Sequence, residues 1–223
     1  MADEEMVQIT SVQAISGTGA IHLAALFLRR TRVFASSKIY IGTPAWGNYE
    51  PLFTLAGFPI VKYKYYDPTT GTVNFPSILA AVEGADEGSV FVLQGCCHNP
   101  SGADLTPKQW RELASVMKAK KAFPLFDVAY QGLGAGLDED SYGLRLFSSM
   151  GFELVAAQSF SKNFGLYGER VGVLHVLSET EDVSNNVYDQ LRSLIRWEFS
   201  SSPAYGSRLV TIILADEALT ASW

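Results

Sequence analysis

A lysine set among small hydroxyl residues and glycines has the makings of a covalent site. Ser159-Phe160-Ser161-Lys162-Asn163-Phe164-Gly165 is such a stretch. An amine there can form a Schiff base with a carbonyl compound, while the hydroxyls and nearby Arg170 can gather a phosphate. The plain alternative is a surface loop lysine beside a capping serine, and Lys162 taken alone favours it. Its company elsewhere in the chain reverses that balance. Ser16-Gly17-Thr18-Gly19 joins an extended stretch to a helical one, where backbone N–H groups and the positive helix end can hold an anion. It lacks the Lys-Ser/Thr ending of a nucleotide loop, and His22 stands where a dinucleotide fingerprint needs its third glycine. A simple turn is its other reading. Asp127 closes an apolar run, where a carboxylate calls for a cationic partner or a helix-capping role. Trp46, after Pro44, offers either ordinary packing or a flat surface for a ring. His98 follows Cys96 and Cys97, but with 3 histidines in the chain and no second Cys/His cluster no metal site is expected.

These residues must be positioned by the elements between them. Apolar runs predict extended segments at Val7–Ile15, Lys38–Ile41, Val61–Tyr66, Ser89–Leu93, Ala122–Phe126, Leu154–Ala157 and Val171–Leu177. Helices are expected over Ile21–Arg30, Asn48–Ala56, Phe75–Glu83, Pro107–Lys118 and Ser141–Met150. Val183, Val187, Leu191, Leu194 and Ile195 lie three or four apart, which predicts one long helix before Arg196. Pro203–Ala218 reads as a further single helix. Strands alternating with helices imply an α/β fold, a mainly parallel central sheet with helices on both faces. Ligands of such sheets bind beyond the carboxyl ends of the strands, where Asp127, Asn99 and Lys162 all fall.

At 223 residues, 48% hydrophobic and 18% charged, the chain can bury the core of one large domain covering residues 1–223. A net charge of -6 argues against nucleic-acid and anionic-membrane partners. No apolar run approaches the ~20 residues of a membrane span. Met1-Ala2-Asp3-Glu4-Glu5 shows neither a signal-peptide nor an Arg-rich transit pattern. A cytoplasmic location follows, with a mitochondrial one left open. The adjacent Cys96 and Cys97 suit reduced thiols better than a structural disulfide.

A phosphate cradle, an amine, a strand-end carboxylate and a ring-stacking indole together suit pyridoxal 5'-phosphate. The carboxylate would keep the pyridine nitrogen protonated, and the lysine would hold the aldehyde and then shuttle a proton. The same segments carry a family resemblance: Ser16-Gly17-Thr18-Gly19-Ala20, Pro44-Ala45-Trp46, His98-Asn99-Pro100-Ser101-Gly102, Phe126-Asp127-Val128-Ala129-Tyr130 and Ser159-Phe160-Ser161-Lys162. In this order they resemble the large domain of class I aminotransferases, most closely the aspartate aminotransferases. The resemblance implies Lys162 as the Schiff-base lysine, Asp127 as partner of the ring nitrogen, and Trp46 stacked on the ring. It implies Asn99 and Tyr130 at the ring hydroxyl oxygen, and Ser16, Gly17, Thr18, Ser159, Ser161 and Arg170 around the phosphate. Arg196 would reach a neighbouring subunit's site in a homodimer and grip the distal carboxylate of aspartate or glutamate. The implied reaction exchanges amino groups between such amino acids and 2-oxo acids.

The sequence also departs from that pattern. Tyr49 and Gln94 stand where the family usually has histidines supporting the ring-nitrogen aspartate, and both can hydrogen-bond a carboxylate. Ser201 replaces a usual asparagine. The family's N-terminal segment and small C-terminal domain are expected to be missing, with the arginine that grips the α-carboxylate. A non-catalytic relative that binds the cofactor, or pairs with a longer subunit, is therefore the alternative to an enzyme.

Overall fold

The structure is a computed structural model that describes residues 8–223. The expectations for Val7 and the acidic N-terminal segment lie outside these residues. In chain order the first half comprises β1 (Gln8–Ile15), α1 (Ser16–Arg30), β2 (Ile39–Thr43), α2 (Tyr49–Leu55) and β3 (Ile60–Lys64), then the short pair β4 (Tyr66–Asp67) and β5 (Thr72–Val73), α3 (Phe75–Glu83) and β6 (Val90–Gln94). The second half comprises α4 (Pro107–Ala119), β7 (Phe123–Val128), α5 (Leu137–Asp140), α6 (Tyr142–Ser149), β8 (Leu154–Ser159), β9 (Val171–Ser178), α7 (Glu181–Glu198), α8 (Ala204–Ala215) and α9 (Glu217–Ser222).

Seven strands form one sheet in the order β1-β9-β8-β7-β6-β2-β3. Strands β3, β2, β6, β7 and β8 are mutually parallel, and β9 runs antiparallel to both its neighbours β8 and β1. The mainly parallel sheet is thus as the sequence predicts, apart from the reversed β9. Because β1 regains the common direction, its carboxyl end at Ile15 reaches the same edge as Ser159. The register pairs Ile15 with Val171 and Ser159 with Gly172, so the α1 start and the Lys162 loop meet there.

Alternation along the strands divides the core in two. Ile39, Ile41, Val90, Val92, Leu125 and Val155 face α1, α2 and α7. Tyr40, Phe91, Leu93, Phe126, Leu154 and Ala156 face α3, α4 and α6. Adjacent strand residues enter opposite layers, as a pleated sheet covered on both sides requires. Asp127, one step past Phe126, therefore points to the α1 and α2 side.

Several boundaries moved. Helix α1 begins at Ser16, so the glycine-rich segment expected as a turn forms its first turn. Helix α4 has the expected start, with Pro107 first and a reciprocal Thr106–Gln109 capping box. The helix expected over Ser141–Met150 is preceded by the separate short α5, and the one over Pro203–Ala218 breaks in two. There Asp216 is extended and its carboxylate accepts from Leu219 N–H at 2.9 Å, capping α9. No helix among the described residues is long and apolar enough to cross a membrane.

Candidate active site

Five elements bring their carboxyl ends or starting turns to one cleft. Lys162, Asp127, Trp46, Asn99 and Tyr130 line it, with Ser16, Gly17 and Thr18 at the start of α1 and Ser159 at the end of β8. Lys162 lies in the loop after β8, and its Nζ sits 4.8 Å from the centre of the Tyr130 ring. Trp46 meets Tyr49 edge to face at 5.3 Å. Asn99 Nδ2 donates to the Tyr130 hydroxyl at 3.4 Å, a long bond.

Asp127 is the electrostatic centre of the cleft. It is 8% exposed, and Tyr49, itself 2% exposed, donates its hydroxyl to Asp127 Oδ2 at 2.5 Å. Burial pushes the Asp127 carboxyl up to about 6, while the Tyr49 hydrogen bond and the Lys162 charge pull it back. Burial and the neighbouring carboxylate hold the Tyr49 phenol well above its ordinary range. The carboxylate is thus poorly compensated in the protein alone, and a cation placed in the cleft would stabilise its charge.

The other end of the cleft is built from close backbone approaches. Ser16 has a φ of 62° and donates its N–H to the Arg170 carbonyl at 3.2 Å. Its buried hydroxyl bonds the Ser161 hydroxyl at 2.9 Å, and Ser161 N–H donates to Ser159 Oγ at 3.2 Å. A Cβ on Gly17 would stand 2.9 Å from Ser159 Cβ, so only glycine lets α1 start against β8. The hydroxyls and N–H groups at a helix start form a donor set suited to an anion. An amine, a carboxylate needing a cation, an aromatic wall and an anion cradle are the complement of a phosphorylated pyridine aldehyde. The residues fit pyridoxal phosphate.

The sequence matches the family described as aminotransferase class I and II over residues 1–223. The chain belongs to this family. Aminotransferase tasG of Hapsidospora irregularis is 54% identical over 94% of this chain and 64% of its own length. The cytoplasmic aspartate aminotransferase of Dictyostelium discoideum is 45% identical over 97% of this chain and 49% of its own. The crystal structure of an aromatic-amino-acid aminotransferase from Burkholderia pseudomallei, covalently bound to pyridoxal phosphate, superposes with a TM-score of 0.95 at 40% identity. That match covers 100% of this chain and 56% of the other. The chain therefore spans between 49 and 64% of the length of these aminotransferases.

Not every residue expected at the site reaches the cleft. The Arg170 guanidinium bonds the Tyr167 carbonyl at 2.7 Å and lines a neighbouring pocket beside Thr18 and Glu198. Arg196 is exposed near the end of α7, where it hydrogen-bonds Ser200, and does not line the cleft. Gln94 corrects an expectation. It does not bond Asp127, although the two are paired in register on β6 and β7; its amide instead bonds the Asn99 backbone at both ends. The reason is that the loop after β6 folds back and offers an N–H and a carbonyl at the reach of one side chain.

The loop also holds Asp104, which the sequence reading did not single out. The Asp104 carboxylate accepts from Cys97 and His98 N–H at 2.7 and 2.8 Å. His98 stacks on Tyr65 at 3.8 Å, and burial lowers its imidazole to about 4. Ligand atoms of Cys96, Cys97 and Asp140 lie within 4.8 Å of one another. The Asp140 carboxylate is already engaged by the N–H groups of Gly132, Gly134 and Ala135, which makes it a loop staple. An aspartate beside a glycine-rich turn is the sequence signal for that role.

Proposed function

We propose that the chain is the cofactor-binding large domain of an aminotransferase that moves amino groups between aspartate or glutamate and 2-oxo acids. What carries the reading is the convergence of Lys162, Asp127, Trp46 and the start of α1 on one cleft. Pyridoxal phosphate is the cofactor; when bound it supplies an aldehyde for an amine and a ring that withdraws electrons once its nitrogen is protonated. Lys162 would engage the aldehyde, and its free Nζ would be the base that takes the α-proton and returns it. Asp127 holds the proton on the ring nitrogen, and Tyr49 fixes one carboxylate oxygen so that the other can face it. Asn99 and Tyr130 would hydrogen-bond the ring oxygen, and Trp46 would offer its indole as a wall for the ring. Ser16, Gly17, Thr18, Ser159 and Arg170 hold the phosphate, Arg170 by swinging from the Tyr167 carbonyl, and Ser161 supports them by orienting the Ser16 hydroxyl. Arg196 acts on the distal carboxylate of substrate in the partner subunit of a homodimer, which accounts for its distance from its own chain's cleft.

Adding pyridoxal phosphate should produce a visible absorbance that survives dialysis and is fixed by borohydride onto Lys162. A label on any other lysine would falsify the assignment. A protein that binds the cofactor this way yet exchanges no amino group with any amino acid supports the non-catalytic alternative. A preference for aromatic substrates is the second reading, supported by the likeness to the aromatic-amino-acid aminotransferase. Arg196→Ala separates the two. Loss of a buried bidentate carboxylate contact should lower kcat/KM for aspartate about 100-fold or more, and leave phenylalanine little changed. Equal losses on both substrates would remove the distal-carboxylate role.

A further inference from the structure

We propose that Gln94 positions the Asn99–Tyr130 side of the cleft through a two-point clamp on the Asn99 backbone, a side distinct from the Tyr49–Asp127 pair. The inference deepens the proposed function and rests on its placement of Asn99 and Tyr130 at the cofactor. Gln94 Nε2 donates to the Asn99 carbonyl at 3.0 Å, and Asn99 N–H donates to Gln94 Oε1 at 2.8 Å. Asp104 takes the two preceding N–H groups, those of Cys97 and His98. Three consecutive backbone donors of this loop are therefore fixed by side chains. The restraint ends at Asn99, whose Nδ2 meets the Tyr130 hydroxyl, and the Tyr130 ring lies under Lys162 Nζ. The amide hydrogen bonds of Gln94 go to the Asn99 backbone rather than to Asp127, Tyr130 or Lys162, so it acts through Asn99.

The clamp explains why an amide stands here. It needs one donor and one acceptor on the same planar group, and a primary amide offers both at any pH. An ionised carboxylate in its place accepts from Asn99 N–H but sets a second lone pair against the Asn99 carbonyl. A protonated carboxyl again offers an O–H and a C=O, and so rebuilds both bonds. Gln94→Glu should therefore have the clamp at low pH and lose half of it as pH rises. Gln94→Met, of similar length, should lack it throughout. Other titrating groups face Gln94: Asp127, Tyr130 and Lys162 in the cleft, with Tyr49, Tyr63, Tyr65 and His98 behind it. All of them are common to the three proteins, so differences between the proteins isolate the clamp.

Two readings on the whole protein test this. With cofactor bound, the pH midpoint of its visible absorbance should shift by about one pH unit in Gln94→Met, the size expected from one misplaced hydrogen bond. The visible spectrum of Gln94→Glu should match that of the wild type at pH 5 and that of Gln94→Met at pH 8. Without cofactor, thermal unfolding of Gln94→Glu should fall below the wild type only as pH rises. The pH dependence caused by Asp127 should persist in Gln94→Met and change in Tyr49→Phe. An unshifted midpoint in Gln94→Met, or a Gln94→Glu protein that tracks the wild type at every pH, overturns the clamp. Loss of the Asp127 dependence in Gln94→Met would return Gln94 to the ring-nitrogen side. If the wild type carries no label on Lys162, the functional reading fails instead, and the cofactor-free melts still decide the clamp.

Discussion

The two ends of the cleft are built on different physics. At the β6–β7 end, Asp127 and Tyr49 are buried charge and dipole, joined by a short hydrogen bond and left short of a cation. At the β8–β9 end, Gly172 lies against the Ser16 backbone, Gly17 against Ser159, and the Ser16 and Ser161 hydroxyls meet. The first end stores an electrostatic deficit that a ligand can relieve. The second is shaped before any ligand arrives, because its donors are fixed by contacts that tolerate no extra atom. One end should respond to pH and cofactor, the other to side-chain volume.

The largest effect should come from volume. A Cβ on Gly172 would lie 2.5 Å from the Ser16 carbonyl carbon and 2.8 Å from the Gln158 carbonyl oxygen, both backbone atoms that cannot turn aside. Gly172→Ala should therefore cost on the order of 3 kcal/mol, the upper end for overpacking, and weaken phosphate binding as well. Urea unfolding reads the first and cofactor titration the second. A variant as stable as the wild type would show that the β8–β9 end is plastic, and the contrast between the two ends would collapse.

Charge comes next. Asp127 titrates at about 6 in the folded protein against an ordinary 3.8, so the folded state holds a proton that the unfolded chain has already released. Between about pH 4 and pH 6 the wild type must then lose stability as pH rises. The difference amounts to about 3 kcal/mol. Asp127→Asn keeps the acceptor for Tyr49 and abolishes the titration, but buries an amide. The cofactor-free variant should thus be more stable than the wild type by about 2 kcal/mol at pH 8, with no advantage below pH 4. Cofactor should reverse the order, since a protonated ring nitrogen stabilises only the carboxylate. A variant advantage that is the same at pH 4 and pH 8 would rule out this origin.

Much of this layout is legible in the sequence, and the illegible parts have identifiable causes. The layers follow from alternation, as when Leu125 and Phe126 enter opposite cores. The reversal of β9 does not show in its composition, which is as apolar as its neighbours'. The signal was the short link from Phe160 to Arg170, too brief for the crossover helix that parallel pairing requires. Asp127 was readable because an acid at the end of an apolar strand needs a reason. The partner of Gln94 was not, since an amide suits a carboxylate and a backbone equally, and only the folded loop decides between them. The break at Asp216 was available as a capping residue inside an apolar helical run.

The smallest effect tests the cradle one atom at a time. Ser161 is 3% exposed and does not line the cleft; its hydroxyl meets Ser16, and its N–H is tied to Ser159. Ser161→Ala removes one hydroxyl and leaves Ser16 Oγ without its buried partner, while the backbone contacts stay in place. If those contacts shape this end, stability should fall by only about 1 kcal/mol, the usual worth of one hydrogen bond. Phosphate affinity should follow the orientation of the Ser16 hydroxyl and drop a few-fold, with no dependence on pH between 5 and 8. Ser161→Thr keeps the hydroxyl and should recover most of the affinity if the added methyl is accommodated. Inorganic phosphate, titrated calorimetrically as a competitor of the cofactor, measures this without the chemistry of Lys162. A loss as large as that of Gly172→Ala would mean that the hydroxyl pair, and not the backbone approach, holds α1 against β8. A loss that varied with pH would bring the electrostatics of the Asp127 end across the cleft, and the two ends would have to be treated as one.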